Sequence, residues 1–210
     1  MSFSYLSEVL TQENRMRLLL FDNYDSFTYN LRSLLLSSVQ DLSVTVRRNK
    51  DRSVFDEKFD ALIISPGPMT WTETGVLKEL FNKRIIPEQI PVLGICLGFQ
   101  FIAGYFGYKV DRIENPVHGS TTEMIHYGDS LFSRIPSPFK AARYNSLGLR
   151  SDARNEGCLE YISFEAVTNN VMALKHKALP IAGFLFHPES FMTGCGQALV
   201  KNFTEVYVKG

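Results

Sequence analysis

The stretch that most constrains this chain runs from residue 91 to residue 107, where a cysteine stands between two glycines. An apolar run leads up to Cys96, Gly94 and Gly98 flank it, and apolar residues then recur at helical spacing. This pattern predicts a buried strand, a sharp turn and a helix. Gly-x-Cys-x-Gly has the layout of a nucleophile elbow with sulfur in place of oxygen, and such a turn is too tight for side chains on its flanks.

The predicted position of Cys96 suits a catalytic thiol. A thiolate at a helix N-terminus is stabilised by the positive end of the helix dipole. The backbone N–H of Leu97 is then free to bind a developing oxyanion, and Gln100 follows four residues on, along the same helix face. The alternative is a buried core cysteine, which is the usual environment of a free thiol.

The first half of the chain alternates between strand and helix patterns. This alternation predicts a parallel sheet with right-handed crossovers, whose ligands bind beyond the carboxyl ends of the strands. The loops Asp22–Asp25 and Ser65–Met69 should therefore meet the Cys96 elbow there. The predicted strands and helices are Met16–Phe21, Ser26–Ser38 (helix), Ser43–Arg47, Ala61–Ser65, Glu73–Lys83 (helix) and Pro91–Ile95.

The second half reads as an antiparallel or mixed extension of that sheet, closed by a last helix. We expect a single α/β, flavodoxin-like domain over residues 16–207, with helices on both faces of a mostly parallel sheet. Residues 1–15 read as an N-terminal extension, either a short amphipathic helix or disordered. The predicted elements are the strands Thr121–His126, Glu160–Val167, Val171–Lys177 and Pro180–Phe186, and the helix Gln197–Tyr207.

A second chemical cluster follows the last predicted strand. There His187 and Glu189 are separated by Pro188. In extended backbone, residues two apart face the same side, and a carboxylate beside an imidazole fixes its tautomer and stabilises its protonated form. Taken alone, this pair is more often a surface histidine with an accidental neighbour. With Cys96 in the same chain, it completes the parts of a nucleophilic triad.

The composition excludes several other classes of function. The 210 residues carry no net formal charge, which gives no reason to expect nucleic acid or a membrane surface as a partner. Three widely spaced cysteines and an N-terminus without a signal-peptide pattern predict a cytoplasmic protein. No pair of histidines has the spacing of metal ligands, so we predict neither a metal nor another cofactor.

Six stretches together resemble the class I, or triad, glutamine amidotransferases. The early Asp-Asn-Tyr-Asp-Ser-Phe loop is most similar to the branch that serves chorismate-using synthases. The matching residues span nearly the whole chain from residue 16 to about residue 205. The matching stretches are 21–31, 65–68, 94–100, 117–119, 143–147 and 186–190.

The resemblance implies a specific chemistry for the candidate residues. Cys96 would attack the side-chain amide of L-glutamine, His187 would transfer protons, and Glu189 would orient His187. The ammonia would pass to a separate chorismate-using synthase subunit, docked over the rim formed by Asp22–Phe27. The backbone N–H groups of Gly67 and Leu97 would form the oxyanion hole, and the substrate would contact Gly67, Met69, Gln100, Ser146 and Leu147.

Three residues depart from the family pattern, all outside the triad. Met69 stands where a second glycine is usual, Phe99 where histidine, glutamine or methionine is usual, and Asn145 where histidine is usual. Two other readings remain open from the sequence: a stand-alone Cys-His hydrolase of γ-glutamyl substrates, and a degenerate scaffold subunit. The choice between anthranilate and aminodeoxychorismate as the final product also remains open.

Overall fold

The computed structural model describes residues 15–149 and 157–209, apart from the side chain of Glu114. The predicted extension at residues 1–15 therefore lies outside the described residues except for Arg15. The strands are β1 (Met16–Asp22), β2 (Leu42–Arg48), β3 (Ala61–Ile64), β4 (Val92–Ile95), β5 (Asp111–His126), β6 (Phe139–Gly148), β7 (Leu159–Glu165), β8 (Val171–His176) and β9 (Ile181–Phe184).

The helices are shorter and more interrupted than the sequence pattern indicates. The predicted helix Glu73–Lys83 is wrong in its bounds: a 3₁₀ turn precedes α2, and a π-helical segment then continues to Ile85. The remaining helix bounds are closer to prediction, but the strand predicted at Thr121–His126 begins ten residues earlier, at Asp111. The helices are α1 (Thr28–Ser38), α2 (Leu77–Leu80), α3 (Ile86–Glu88), α4 (Leu97–Tyr105) and α5 (Gly196–Phe203), with π-helical segments at Phe81–Ile85 and Thr204–Val208 and 3₁₀ turns at Arg52–Phe55, Trp71–Glu73 and Ser130–Phe132.

The described strands form one sheet in the order β2-β1-β3-β4-β9-β8-β7-β5-β6. The first five are parallel, and the pairs from β9 to β6 are antiparallel. The strand order reverses direction at β1, so right-handed crossovers place α1 and α2 on opposite faces. The prediction of a mostly parallel, doubly wound sheet with an antiparallel extension is confirmed.

The central strands are buried on both faces, which explains their continuous apolar runs. Every residue of β3, β4 and β9 is buried. Strand β6 was not predicted, because its residues carry no clear alternation of apolar and polar side chains: Arg143 and Asn145 are buried with their apolar neighbours. An isolated bridge pairs Ala142 of β6 with His187, which brings this strand to the carboxyl end of β9.

Candidate active site

The cysteine turn between β4 and α4 has the geometry of a nucleophile elbow. Cys96 has φ 51° and ψ −95°, a left-handed conformation that costs a non-glycine residue about 1–3 kcal/mol. Its N–H donates to the carbonyl of Phe184 at 2.8 Å, and its carbonyl accepts the N–H of Gln100 at 3.0 Å. A Cβ atom on Gly98 would lie 2.8 Å from the carbonyl oxygen of Ile64, so this flank admits only glycine.

His187 reaches the site through a turn rather than through extended backbone. The N–H of Ser190 donates to the carbonyl of His187 at 3.3 Å, and this turn folds Glu189 back so that its Oε1 lies 2.6 Å from Nδ1 of His187. The two side chains lie together as predicted, but a turn joins them, not the extended link on which the prediction was based. The hydroxyl of Thr193 fixes the turn, donating to the His187 carbonyl at 2.7 Å and accepting the N–H of Ala142 at 2.9 Å.

The environment of His187 favours its protonated form. Burial of the imidazole lowers the pKa of His187. The charges and hydrogen bonds of Cys96 and Glu189 outweigh this effect and raise the pKa well above its ordinary value. Nε2 of His187 and Oε2 of Glu189 are buried without a hydrogen bond of normal geometry to any described residue. The imidazole is therefore held in place through its Nδ1 atom.

Two loops meet beside the elbow, and paired polar groups bind them together. The N–H of Asn23, after β1, donates to Oγ of Ser65 at 2.9 Å, and Nδ2 of Asn23 donates to the Ser65 carbonyl at 3.2 Å. Gly67 packs into this junction. A Cβ atom there would lie 2.7 Å from Cβ of Asn23 and 2.7 Å from Cδ2 of Leu97. Close packing of the loops therefore brings the Gly67 peptide next to the start of α4.

A cavity of about 430 Å³ opens over these residues at the carboxyl ends of the parallel strands. Glu189, behind His187, is the one predicted site residue that does not line it. Phe99, the second departure from the family pattern, is fully buried away from the cavity. Met69 lines the cavity without a left-handed φ. The predicted residues in its wall are Gly67, Met69, Cys96, Leu97, Gln100, Ser146, Leu147 and His187.

The structure adds aromatic and acidic residues that the sequence analysis did not assign to the site. The ring of Tyr144 meets His187 edge-on at 4.9 Å between centroids, and Phe27 lies 5.6 Å from Tyr144 and 6.5 Å from His187. Asp25 also lines the cavity, and burial raises its pKa although the N–H of Phe27 and the charge of His187 oppose the shift. Asp25 and Phe27 belong to the Asp22–Phe27 segment, which was predicted from the sequence only as a docking rim.

Within the described ranges, no three His, Cys, Asp or Glu side chains are arranged to hold a metal ion. The helices of residues 15–149 and 157–209 also fall short of the length and apolar character that a bilayer crossing requires. The fold and the cavity thus define a doubly wound α/β protein that presents a cysteine on an elbow to a histidine–carboxylate pair.

Comparisons with known proteins give this class its family. The sequence model described as "Glutamine amidotransferase class-I" matches residues 19–206, and the chain belongs to that family. It is therefore an enzyme, a glutamine amidotransferase, as the sequence predicted. The aminodeoxychorismate/anthranilate synthase component 2 of Bacillus subtilis is 39% identical over 196 residues, or 91% of this chain and 97% of that protein.

Two further relatives extend the comparison. The aminodeoxychorismate synthase component 2 of Serratia marcescens is 36% identical, covering 89% of this chain and 98% of that protein. Among solved structures, a putative GMP synthase subunit from Thermoplasma acidophilum superposes with a TM-score of 0.80. It is 24% identical, and the match covers 93% of this chain and 96% of the other, which shows a shared fold.

Proposed function

We propose that this chain is the glutamine-hydrolysing subunit of a chorismate-using synthase, and that Cys96, His187 and Glu189 carry out the hydrolysis. The names of the relatives, component 2 of anthranilate and aminodeoxychorismate synthases, support a second component that uses chorismate. The observation that carries the catalytic assignment is geometric. The strained Cys96 elbow and the His187 side chain meet at one cavity, and Nδ1 of His187 lies 2.6 Å from Oε1 of Glu189 behind it.

The proposed reaction proceeds through a thioester. His187 takes the thiol proton, and the sulfur of Cys96 attacks the side-chain carbonyl carbon of L-glutamine. His187 then gives the proton to the leaving nitrogen, so that ammonia departs and a glutamyl thioester remains. Water, activated by the same imidazole, attacks the thioester, releases glutamate and regenerates the thiol. Glu189 holds the imidazole in position and stabilises its charged form.

The backbone N–H groups of Gly67 and Leu97 are proposed to bind the oxyanion that forms on the amide oxygen. Leu97 is the first residue of α4, so its N–H has no partner within the helix. Gly67 lies against the Leu97 side chain. Donors fixed at this point by packing stabilise charge only as it develops in the transition state. Met69, Gln100, Ser146 and Leu147 also line the cavity, and they are proposed to contact the substrate.

The synthase is proposed to dock over the rim that Asp22–Phe27 forms around the cavity. Ammonia released into water at neutral pH is mostly protonated and unreactive as a nucleophile, so the partner must cover the site. Three members of this rim, Asp25, Ser26 and Phe27, line the cavity. A partner seated there therefore touches groups that contact the triad directly, since Phe27 packs beside His187.

Replacement of the cysteine tests the proposal. In a reconstituted pair with the synthase, Cys96→Ala should abolish product formation from glutamine and leave formation from ammonium salts intact. Retained glutamine use by the variant would exclude Cys96 as the nucleophile. Rapid glutamine hydrolysis that no synthase alters would favour the stand-alone hydrolase, and complete inactivity with the cognate synthase would favour a scaffold.

A further inference from the structure

A set of buried polar contacts links Arg143 to the cavity wall through Asn145. Nε of Arg143 donates to Oδ1 of Asn145 at 3.1 Å, and Nδ2 of Asn145 donates to the carbonyl of Leu147, also at 3.1 Å. Nε2 of Gln100 donates to the same carbonyl at 3.1 Å. The Leu147 carbonyl therefore receives one amide from β6 and one from α4, which ties the two sides of the cavity together.

The chemistry of the groups fixes the direction of this chain of hydrogen bonds. A guanidinium can only donate, so the Asn145 side chain must turn its oxygen toward Arg143. Its amide nitrogen is then left facing Leu147, whose carbonyl can only accept. The same constraint acts on Gln100, whose nitrogen faces the carbonyl, and its Oε1 accepts no hydrogen bond from any described residue.

The Arg143 end of this series of hydrogen bonds is anchored in the protein interior. Arg143 has no exposed surface, and its Nη1 lies 2.8 Å from Oε1 of Glu165. The approach is oblique, so this contact is an ion pair rather than an aligned hydrogen bond. Thr168 donates from Oγ1 to the other carboxylate oxygen of Glu165. The Arg143 side chain is therefore not free to swing away from Asn145.

We infer that Asn145 is a positioning residue for the α-amino-acid end of the substrate, acting through Leu147 and Gln100. The inference rests on the proposed function, in which this part of the wall holds glutamine. With two donors bound, the Leu147 carbonyl has no lone pair left for the substrate ammonium. The Oε1 atom of Gln100 remains as the acceptor for that ammonium. Asn145 fixes the position of this atom, because Asn145 and Gln100 bind the same Leu147 carbonyl.

Two substitutions separate this role from simple packing. Asn145→Leu keeps a similar volume but removes both the acceptor and the donor, so the KM for glutamine should rise roughly tenfold to 100-fold with a smaller change in kcat. Asn145→His restores one acceptor and one donor while the imidazole is neutral. Once protonated, it can only donate and opposes Arg143, so this variant should bind glutamine well at about pH 8.5 and poorly at about pH 6.

Labelling of Cys96 by two thiol reagents measures the effect without the synthase. A glutamine analogue with a chloroketone in place of the amide needs the α-amino-acid end of the site, whereas iodoacetamide needs only the thiol. In Asn145→Leu we expect labelling by the chloroketone to slow roughly tenfold or more, with the iodoacetamide rate within about twofold of wild type. In Asn145→His the chloroketone should label at the wild-type rate only at the higher pH.

Three other labelling results would each contradict one part of this proposal. Equal slowing of both reagents in Asn145→Leu would mean general disturbance of the site and would overturn the positioning role. Slow chloroketone labelling of Asn145→His at both pH values would overturn the donor–acceptor argument. A wild-type chain that iodoacetamide labels and the chloroketone does not would instead contradict the proposed glutaminase function itself.

Discussion

Nδ1 of His187 lies 2.6 Å from Oε1 of Glu189, while the second oxygen of this carboxylate has no hydrogen-bond partner among the described residues. The two side chains are only 4% and 1% exposed. A carboxylate this deeply buried is costly unless a neighbouring positive charge balances it. His187 supplies that charge only in its protonated form, so the stability of this corner of the fold depends on pH.

The first prediction concerns that dependence. Burial, Cys96 and Glu189 together leave the pKa of His187 well above its ordinary value. A raised pKa means that the folded state holds the proton more tightly, so the contribution is complete below about pH 6.5 and is lost as pH rises through the folded pKa. Urea unfolding should show the largest advantage of wild type over Glu189→Gln at about pH 6, shrinking toward about pH 9. An advantage that grew with pH would contradict this account.

The second prediction separates the roles of the two residues in catalysis. His187→Ala removes the proton-transfer group and should lower glutamine turnover by about 10²–10⁴-fold. Glu189→Gln keeps a hydrogen-bond acceptor for Nδ1 and loses only the charge, so its effect should be smaller. Single-turnover hydrolysis of glutamine by both variants gives the comparison. If Glu189→Gln proved the more damaging change, the assignment of roles would be reversed.

The third prediction concerns Gly67. A Cβ atom at this position would lie 2.7 Å from Asn23 and Leu97 side-chain atoms and 2.9 Å from the Asn23 carbonyl oxygen. Gly67→Ala must therefore displace the peptide proposed to bind the oxyanion, and the loss of one such donor costs about 10²–10³ in rate. Glutamine turnover should fall by that factor. Binding of the variant to the synthase, measured in the same preparation, should be retained; its loss would indicate misfolding rather than a lost donor.

The fourth prediction compares two glycines near the start of α5. A Cβ atom on Gly196 would lie 2.0 Å from the carbonyl oxygen of Pro188, within the turn that carries His187 and Glu189. Gly196→Ala should therefore lower both the melting temperature and glutamine turnover. Gly194→Ala is the matched control, because a Cβ atom there meets nothing within 4 Å. Equal effects of the two substitutions would show that the turn does not depend on this contact.

The fifth prediction concerns activation by the synthase. Phe27 belongs to the proposed docking rim, and its ring lies 6.5 Å from that of His187. Partner binding should raise glutamine turnover, and Phe27→Ala should reduce this rise more than it reduces turnover of the isolated chain. Tyr127→Ala, at an aromatic ring that is 79% exposed and outside the cavity wall, is the control. Turnover that is identical with and without the synthase would contradict the activation hypothesis.

The parallel half of the fold could be predicted from sequence because its signals are local. Continuous apolar runs mark buried strands, and the turn at Cys96 needs glycines that stand next to it in the chain. The sequence therefore places the elbow correctly between β4 and α4. The Asp22–Asp25 loop and the Ser65–Met69 loop could be assigned to the same edge of the sheet, since the carboxyl ends of parallel strands lie at one edge.

The antiparallel half was harder to predict because its burial depends on distant partners. Arg143 is fully buried only because Glu165 and Asn145 lie against it, so β6 lacks the apolar pattern of a core strand. The turn after His187 depends on the hydroxyl of Thr193, which also accepts the N–H of Ala142 from β6, and no local pattern reveals this contact. Long-range polar contacts of this kind leave no periodicity in the sequence.

The hydrogen bond from the Cys96 amide to the Phe184 carbonyl has a consequence for the motions of the site. It joins the ends of two central, fully buried strands, and such strands open only with the whole domain. The Cys96 amide should therefore exchange with deuterium at the rate of global unfolding, whereas the half-buried Asp25 and exposed Ser26 belong to a surface segment that exchanges through local opening. Substrate entry and partner binding can then remodel the rim while the cysteine and the histidine keep their separation.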